Sequence, residues 1–304
     1  MNIEKNYPLA DETTFKVGGP AEFFVAVDNK KQLETAAKEA RKKEIPITIL
    51  GGGSNVIISS KGINGLVIKI RSGEITFLDD NLLQVEAGVS LPRLSRFAMD
   101  NSFKGLEWAL GVPGTAGGAI YGNAGAFNQS ISEFVEEVEV LRGLNTEVIS
   151  SDDLEFGYRM STFKRQDLII LSASLRLEKG NHKEVKRKTE KYLTYREDHH
   201  PLDMPCAGSI FKNPTGVSEK LFNDYPKLKE FKERGSIPAG YLIEEAGLKG
   251  TKEGGAMISK KHANFIVNAD GASSEDIINL IEKAKEEVFE RFGVGLEREV
   301  RFLS

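Results

Sequence analysis

The first half of the chain alternates helix-like and strand-like hydrophobic patterns. Residues 29–44 place Leu33, Ala36, Ala37 and Ala40 on one helical face, and the apolar run 47–50 follows directly. This order predicts a helix that leads into a short buried strand. The same criteria predict a helix over residues 90–101, and strands over residues 56–58, 66–70, 82–87, 135–141 and 168–177.

The second half shows a different pattern, typical of an α+β lobe. A polar helix over residues 183–196 is the predicted bridge between the halves, with a boundary at residues 196–201. Beyond it we expect a helix that starts at Pro238 and ends at Gly247, and a strand over residues 263–267.

The last helix has the clearest sequence pattern. Ser273 stands three residues before Asp276, the spacing of a capping box, and Gly293 follows the final apolar position. The apolar stripe between them consists of Ile277, Leu280, Ile281, Ala284, Val288 and Phe292. Residues 300–303 then predict one closing strand.

Length and charge narrow the class of protein. A chain of 304 residues is too long for one comfortable core, so two or three lobes are expected. The 41 Lys and Arg against 45 Asp and Glu give a net charge of −4, with no basic block, which argues against a duplex nucleic-acid partner. Chemistry on a small molecule becomes the leading hypothesis.

The cellular location is predicted from two features. The single cysteine, Cys206, cannot form a disulfide within the chain, which favours a reducing cytoplasm. Residues 1–10 show no basic segment followed by an apolar run, and no stretch approaches the roughly 20 apolar residues of a membrane span. We therefore expect neither secretion nor a membrane partner.

Two glycine-rich segments are the first candidates for ligand binding. Residues 51–55 read Gly-Gly-Gly-Ser-Asn after a predicted strand, and residues 111–125 hold six glycines and three alanines. Glycine lets backbone N–H groups approach an anion closely, so the two segments favour a dinucleotide. The alternatives are a glycine-rich turn for the first segment and a small-residue helix or loop for the second. The cofactor-binding candidates are Gly51, Gly52, Gly53, Ser54, Asn55, Gly114, Thr115, Gly118, Ala119, Asn123 and Gly125.

Three further segments carry candidate chemistry. Arg159, in the run 158–161, could offer a planar pair of donors to a carboxylate or phosphate, although a loop arginine is often only a surface ion pair. Ser209 lies between a glycine and an apolar pair, so its hydroxyl could donate a proton to a carbanion or simply cap local structure. Glu297 and Glu299 share one face of the closing strand, where a solvated surface is the ordinary interpretation. No spacing of His, Cys and acidic residues predicts a metal site.

Taken together in their order, these segments closely resemble the UDP-N-acetylenolpyruvoylglucosamine reductase family, also called UDP-N-acetylmuramate dehydrogenases. The resemblance runs from about residue 13 to residue 302. The matching motifs are residues 51–55, 111–126, 158–161, 207–214, 246–250, 262–268 and 299–302.

This resemblance implies an α+β fold in which a p-cresol methylhydroxylase-type FAD-binding fold forms two α/β lobes and a third α+β lobe binds the substrate. Applied to this chain, it implies a first FAD-binding lobe over residues 1–70, to which the C-terminal strand 297–304 returns. The second FAD-binding lobe covers residues 71–197, and the substrate-binding domain covers residues 198–296.

The resemblance also implies a reaction. NADPH reduces noncovalently bound FAD, and hydride then passes to the enolpyruvyl ether of a UDP-sugar, which makes UDP-N-acetylmuramate for the peptidoglycan of the cell wall. Ser209 resembles the family's proton donor, while Arg159 and Glu299 match the pair that stabilises the enolate-like intermediate. The chain is thereby expected to be an oxidoreductase that acts on a CH–CH group. We also expect a cytoplasmic protein; the sequence leaves its oligomeric state open, with a monomer as the expectation.

This chain differs from some members of the family in the segment that holds the nucleotide of the substrate. Some members carry an inserted loop with a tyrosine that closes over the uridine diphosphate, soon after the motif of Arg159. Here residues 162–167 lead directly into the apolar run 168–170, so the chain resembles the shorter subtype. Lys212, Asn213 and Lys249 are the remaining candidates for substrate binding.

Two other functions compete with this one. A flavin oxidase of the same domain type would act on an alcohol or sugar, and many such enzymes tether FAD through a histidine, yet no histidine occurs in residues 1–181. A flavin-binding sensor would bind FAD without turning over the UDP-sugar.

Overall fold

The structure, a computed structural model, describes residues 2–304 and divides them into two compact units. The first unit contains residues 2–7, 21–52 and 64–198. The second contains Pro8–Pro20, Gly53–Ile63 and His199–Ser304. The chain therefore enters the second unit three times, and each unit is described by itself below.

The helices lie where the sequence pattern is strongest, with two short additions. Within residues 2–304 the α-helices are Lys30–Lys42, Leu91–Asp100, Ala116–Gly122, His182–His199, Glu219–Asp224, Ala239–Glu245 and Ser274–Phe292. A longer 3₁₀ segment covers Pro226–Arg234.

The principal strands form three sheets. In spatial order, a four-stranded sheet contains Glu4–Pro8, Pro20–Val27, Ile63–Ile70 and Ile47–Leu50. A five-stranded antiparallel sheet contains Asn145–Ser150, Val135–Arg142, Leu168–Arg176, Leu82–Glu86 and Ile75–Phe77. A three-stranded sheet contains Lys252–Glu253, Ala256–Ile258 and Ile266–Asn268.

Shorter strands form two-stranded pairs. Gly125–Ala126 pairs with Gln129–Ser130, and Phe103–Lys104 pairs with Glu178–Lys179. Val56–Ile58 pairs in parallel with the closing strand Arg301–Leu303.

The first unit is built around the helix Lys30–Lys42 and the large antiparallel sheet. The side chain of Asn29 accepts a hydrogen bond from the N–H of Gln32, which caps the helix, and the buried face consists of the four predicted apolar residues. In the sheet, Val138 lies opposite Ala173 and Ala173 lies opposite Val85, all three fully or nearly buried. One continuous apolar cluster therefore fills this unit.

The second unit is built around the helix Ser274–Phe292. Ser273 Oγ accepts from the N–H of Asp276 at 3.1 Å, and Asp276 Oδ2 accepts from the N–H of Ser273 at 2.9 Å. The predicted capping box is thus formed, and Gly293 ends the helix in a left-handed conformation with φ of +66°. The predicted apolar stripe is buried in the core of this unit.

The observed strands differ from the predicted ones in one boundary and in several strands that were not predicted. The strand expected over residues 263–267 begins only at Ile266, because the N–H of Phe265 bonds the carbonyl of His262 and closes a turn there. The sequence analysis did not identify the strand Pro20–Val27, whose buried and exposed positions alternate only partly. It also did not identify the strands Glu4–Pro8, Ile75–Phe77, Asn145–Ser150 and Ala256–Ile258. The other predicted helices and strands are present, with ends shifted by a few residues.

The predicted three-part division of the chain remains a prediction. Met1, the first residue of the expected first lobe, lies outside the described residues. Across residues 2–304, no helix combines the length and the apolar composition needed to cross a membrane.

Candidate active site

In the first unit, the two glycine-rich segments lie against each other. A Cβ atom added to Gly52 would lie 2.6 Å from the Cα of Gly114, and one added to Gly51 would lie 2.5 Å from Oγ1 of Thr115. No side chain fits at either position without a shift of the opposing atoms. The glycines are therefore required by the close approach of the two segments, which leaves a surface made mostly of backbone.

The second glycine-rich segment forms a short capped helix. Thr115 Oγ1 accepts from the N–H of Gly118 at the start of Ala116–Gly122, and Asn123 ends the helix with φ of +45°. Gly118 is exposed, whereas Ala119 is buried. The small-residue helix considered as an alternative is thus what forms, and it lies where a flat ligand could contact backbone.

The rest of the first glycine loop belongs to the second unit. Gly53 has φ of +63°, and its carbonyl accepts from the N–H of Thr14 at 3.1 Å. A Cβ at this position would lie 2.2 Å from the carbonyl oxygen of Glu12. Ser54 and Asn55 are half-buried, and the carbonyl of Asn55 accepts from Arg301 at 3.1 Å. The closing strand therefore anchors the end of this loop.

Arg159 is held by the glycine-rich segment of the first unit. Its Nη2 donates to the carbonyl oxygen of Gly125 at 2.7 Å, and Nη1 lies 3.5 Å from the carbonyl oxygen of Asn123. Its own carbonyl accepts from Lys164 Nζ at 2.6 Å. The half-buried guanidinium is thus oriented by backbone carbonyls, as a group that must meet a carboxylate in one geometry would be.

Two polar side chains hold the loop that carries Arg159 through hydrogen bonds. The sequence analysis did not predict this role for either of them. Ser161, buried at 1% exposure, donates from Oγ to the carbonyl of Tyr121 at 2.7 Å. The amide of Asn123 donates to the carbonyl of Gly157 at 2.8 Å. Both residues belong to recognised motifs, but their bonding partners are remote in sequence, so spacing alone gave no indication of them.

Ser209 lies in an irregular segment of the second unit, between bends at Gly208 and Ile210. Gly208, just before it, has φ of +75° and open space around its Cβ position, so the backbone conformation rather than crowding favours glycine. The segment is flanked by two others, because Cys206 pairs with Val267 and Phe211 pairs with Arg298. The half-buried Ser209 is therefore carried by backbone that is paired on both sides.

Glu299 is brought next to this segment by the same pairing. Its N–H donates to the carbonyl of Ile210 at 2.8 Å, one residue beyond Ser209. The Glu299 residue is half-buried, whereas the Glu297 side chain is 71% exposed and its Oε1 lies 2.5 Å from Lys212 Nζ. The second unit therefore places the backbone of Glu299 beside the Ser209 segment, while the Glu297 carboxylate already has a cationic partner.

The three substrate-binding candidates all make contacts within the second unit. Lys212 pairs with Glu297, and Lys249 Nζ pairs with Glu244 Oε1 at 2.7 Å. Asn213 Oδ1 accepts from the N–H of Ala239 at 3.1 Å, at the start of the helix Ala239–Glu245. Each lysine is therefore paired with a glutamate of its own unit, and the side-chain oxygen of Asn213 holds the start of a helix.

His262 and Asn264 form a hydrogen-bonded turn beside the Ser209 segment. Burial, together with the nearby charge of Lys249, lowers the pKa of His262 below its usual value. Its Nδ1 lies 3.2 Å from the backbone N–H of Asn264, which fits a neutral imidazole that accepts at this nitrogen. The Asn264 side chain in turn bonds the backbone of Phe211. Over residues 2–304, no group of three or more His, Cys, Asp or Glu residues is arranged to hold a metal ion.

Comparison with known proteins first defines the chain as a flavoprotein. Residues 21–150 match the family model described as FAD binding domain, which contains the closely packed glycines of the first unit and Asn123. The backbone surface at these glycines suits the pyrophosphate of a dinucleotide. Residues 200–303 match the UDP-N-acetylenolpyruvoylglucosamine reductase, C-terminal domain, which contains Ser209 and Glu299.

Full-length relatives then identify the family. The UDP-N-acetylenolpyruvoylglucosamine reductase of Caldanaerobacter subterraneus subsp. tengcongensis is 38% identical, covering 98% of this chain and 92% of the relative. That of Prochlorococcus marinus is 39% identical, covering 99% and 98%. The crystal structure of UDP-N-acetylenolpyruvylglucosamine reductase from Thermus caldophilus is 32% identical, with a TM-score of 0.80 and full coverage of both chains. The chain belongs to the UDP-N-acetylenolpyruvoylglucosamine reductase family, and the predicted fold class and cofactor are confirmed.

Proposed function

We propose that this protein reduces the enolpyruvyl group of UDP-N-acetylenolpyruvylglucosamine, with NADPH as hydride donor and noncovalent FAD, to give UDP-N-acetylmuramate for peptidoglycan synthesis. The observation that carries this proposal is the match of residues 200–303 to the C-terminal domain of this family, since those residues include Ser209 and Glu299. The full-length relatives support the same activity.

The proposed reaction adds one hydride and one proton across a carbon–carbon double bond. The glycine segments of the first unit would hold FAD, which would supply the chemistry that carries hydride from NADPH to the methylene carbon of the enolpyruvyl group. The electron pair of the double bond then shifts to the neighbouring carbon and into the attached carboxylate, so negative charge grows there in the transition state. The protein has to stabilise that charge and deliver one proton.

We assign the role of proton donor to Ser209. A proton from its hydroxyl to the carbon beside the carboxylate completes the saturated lactyl ether, and the serine recovers a proton from solvent afterwards. The half-buried position on backbone that is paired on both sides supports this role, because a general acid must be held in one place.

We assign the stabilisation of the negative charge to Arg159, and support of the protonation step to Glu299. A guanidinium that meets the substrate carboxylate binds it more strongly as the carboxylate gains charge, which lowers the barrier rather than only improving binding. The fixed orientation of Arg159 on the carbonyl of Gly125 supports this. Glu299, whose backbone bonds that of Ile210, supports the protonation step.

The remaining candidates bind the two ligands. Lys212 and Lys249 supply the positive charge that a diphosphate requires, and an amide N–H donor such as that of Asn213 can bond its oxygens. The glycine segments, with Ser54, Asn55, Thr115, Ala119 and Asn123, hold FAD by backbone approach. We further propose that the protein acts as a monomer in the cytoplasm, without a nucleic-acid or membrane partner.

The oxidase alternative is not favoured, because the relatives that cover the full chain are reductases of the UDP-sugar. A test that separates the two measures products. The purified protein is incubated with NADPH and UDP-N-acetylenolpyruvylglucosamine, and the mixture is analysed by mass spectrometry. The proposal predicts one UDP-N-acetylmuramate for each NADPH oxidised, and FAD in the supernatant after acid precipitation. NADPH oxidation without that product, or flavin retained in the pellet, would reject it.

A further inference from the structure

We propose that Asn264 is a positioning residue for Ser209, acting through the backbone of Ile210 and Phe211. This inference rests on the proposed function of Ser209 and adds a residue to which that function assigns no role. Asn264 lies 53 positions from Phe211 along the chain, in the turn that precedes the strand Ile266–Asn268.

Three hydrogen bonds join Asn264 to the two residues that follow Ser209. The backbone carbonyl of Asn264 accepts from the N–H of Ile210 at 2.8 Å. Its Oδ1 accepts from the N–H of Phe211 at 2.9 Å, and its Nδ2 donates to the carbonyl of Phe211 at 2.9 Å. The Asn264 carboxamide thus bonds both the N–H and the carbonyl of Phe211, as the backbone of a neighbouring strand would.

One peptide group transmits this arrangement to Glu299. The peptide between Ile210 and Phe211 accepts at its oxygen from the N–H of Glu299 at 2.8 Å and donates at its nitrogen to Asn264 Oδ1. A rigid planar peptide therefore lies between the Asn264 amide and the Glu299 backbone. Displacement of this peptide would move the Ser209 hydroxyl relative to Glu299.

The burial of Asn264 indicates why the amide is hard to replace. The residue is only 4% exposed, and Phe211 is 2% exposed, so water cannot substitute for a lost bond. A buried backbone group without a partner is costly, and the segment would shift to regain one. A shift of about 1 Å can cost about 10²-fold in rate.

The test uses single turnovers of the FAD-loaded full-length protein reduced with NADPH. UDP-N-acetylmuramate formation is followed by rapid quench in H₂O and in D₂O. For Asn264→Ala we expect reduction by NADPH at the normal rate, product formation slower by about 10²-fold, and a larger solvent isotope effect. In the Ser209→Ala background the same change should alter the rate by no more than about twofold, because the proton donor it positions is already gone.

Asn268→Ala is the matched control. Asn268 also bonds backbone with its side chain, to the carbonyl of Phe15 at 3.2 Å and the N–H of Ala272 at 2.8 Å, but none of these side-chain bonds reaches the Ser209 segment. It should lower the thermal midpoint without enlarging the isotope effect. Asn264→Asp provides a second variant in case the alanine fails to fold. Its ionised carboxylate lacks the donor to Phe211, so product formation should recover as pH falls and the acid regains a proton.

The possible outcomes distinguish failure of the positioning role of Asn264 from failure of the proposed reductase activity. Equal slowing by Asn264→Ala in the wild-type and Ser209→Ala backgrounds, or an unchanged isotope effect, would show a structural role only and overturn the inference. Wild-type protein that forms no product would instead reject the proposed function itself, and the inference with it.

Discussion

Arg159 Nη2 donates to the carbonyl of Gly125 at 2.7 Å, which ties the candidate oxyanion-stabilising side chain to the segment matched to FAD binding. Arg159 also has φ of +55°, a left-handed conformation that is unfavourable for a residue with a Cβ. The bond from Lys164 Nζ to its carbonyl helps to hold this conformation. Strain of this kind, held by specific contacts, is typical of functional positions.

Replacement of Arg159 by lysine tests the guanidinium. An ammonium cannot reproduce two donors in one plane, so Arg159→Lys should slow oxidation of the reduced flavin by the UDP-sugar by about 10²–10³-fold. Reduction by NADPH should keep its rate. The control is Arg165→Lys, six residues on, because Arg165 is exposed and pairs with Glu155 at 3.2 Å. Loss of both half-reactions in Arg159→Lys would contradict the assigned role.

Removal of the Ser209 hydroxyl tests the proton donor. Ser209→Ala should leave bleaching by NADPH intact and slow the second half-reaction by about 10²–10⁴-fold. Ser218→Ala is a suitable control, since Ser218 is an exposed serine of the same unit whose side chain makes no capping bond to its helix. The assignment fails if the two half-reactions slow equally.

The close approach of Gly52 and Gly114 predicts an effect on FAD retention. A methyl group on Gly52 would lie 2.6 Å from backbone, which no side-chain rotation can relieve, so Gly52→Ala should weaken FAD binding about tenfold or more. Gly295→Ala is the control, because no heavy atom lies within 4 Å of its Cβ position. The flavin-to-protein absorbance ratio after gel filtration measures the difference. Full flavin content in Gly52→Ala would show that the segments can separate without loss of the site.

The capping box of the last helix predicts a stability that depends on pH. The N–H groups of Ser273 and Gly255 hold the pKa of Asp276 below its usual value. A carboxyl whose pKa is lower in the folded state stabilises the fold above its unfolded pKa, and this contribution is lost as pH falls through the folded pKa.

Asp276→Asn should therefore cost about 1 kcal/mol at neutral pH, and less below about pH 4. Urea unfolding at several pH values provides the measurement. Glu282→Gln, on the same helix but paired only with Lys285, should cost little at any pH. A pH-independent difference between wild type and Asp276→Asn would mean that the charge of Asp276 does not contribute.

Elements that depend on contacts between residues close in sequence could be predicted from the sequence, and elements that depend on remote partners could not. The helix Ser274–Phe292 was predictable because its cap, stripe and terminal glycine are all local. The strand Pro20–Val27 was missed, since its partners come from remote parts of the chain and its alternation is imperfect. Local patterns thus carried most of the element assignments.

The candidate site was predicted from motifs, but its supporting contacts were not. The motif residues Arg159 and Ser209 were identified by resemblance, whereas the bonds that hold them span long distances in sequence. Arg159 bonds a carbonyl 34 positions away, and Asn264 bonds a backbone 53 positions away. Such bonds depend on tertiary placement, which no residue spacing records.

The measurement that tests the central claim most directly is anaerobic stopped-flow spectroscopy of both half-reactions. Protein reduced by one equivalent of NADPH is mixed with UDP-N-acetylenolpyruvylglucosamine, and the flavin absorbance is followed. The account predicts that the oxidised flavin band returns completely with that substrate and stays bleached with buffer alone. A band that remains bleached in the presence of the substrate would contradict it.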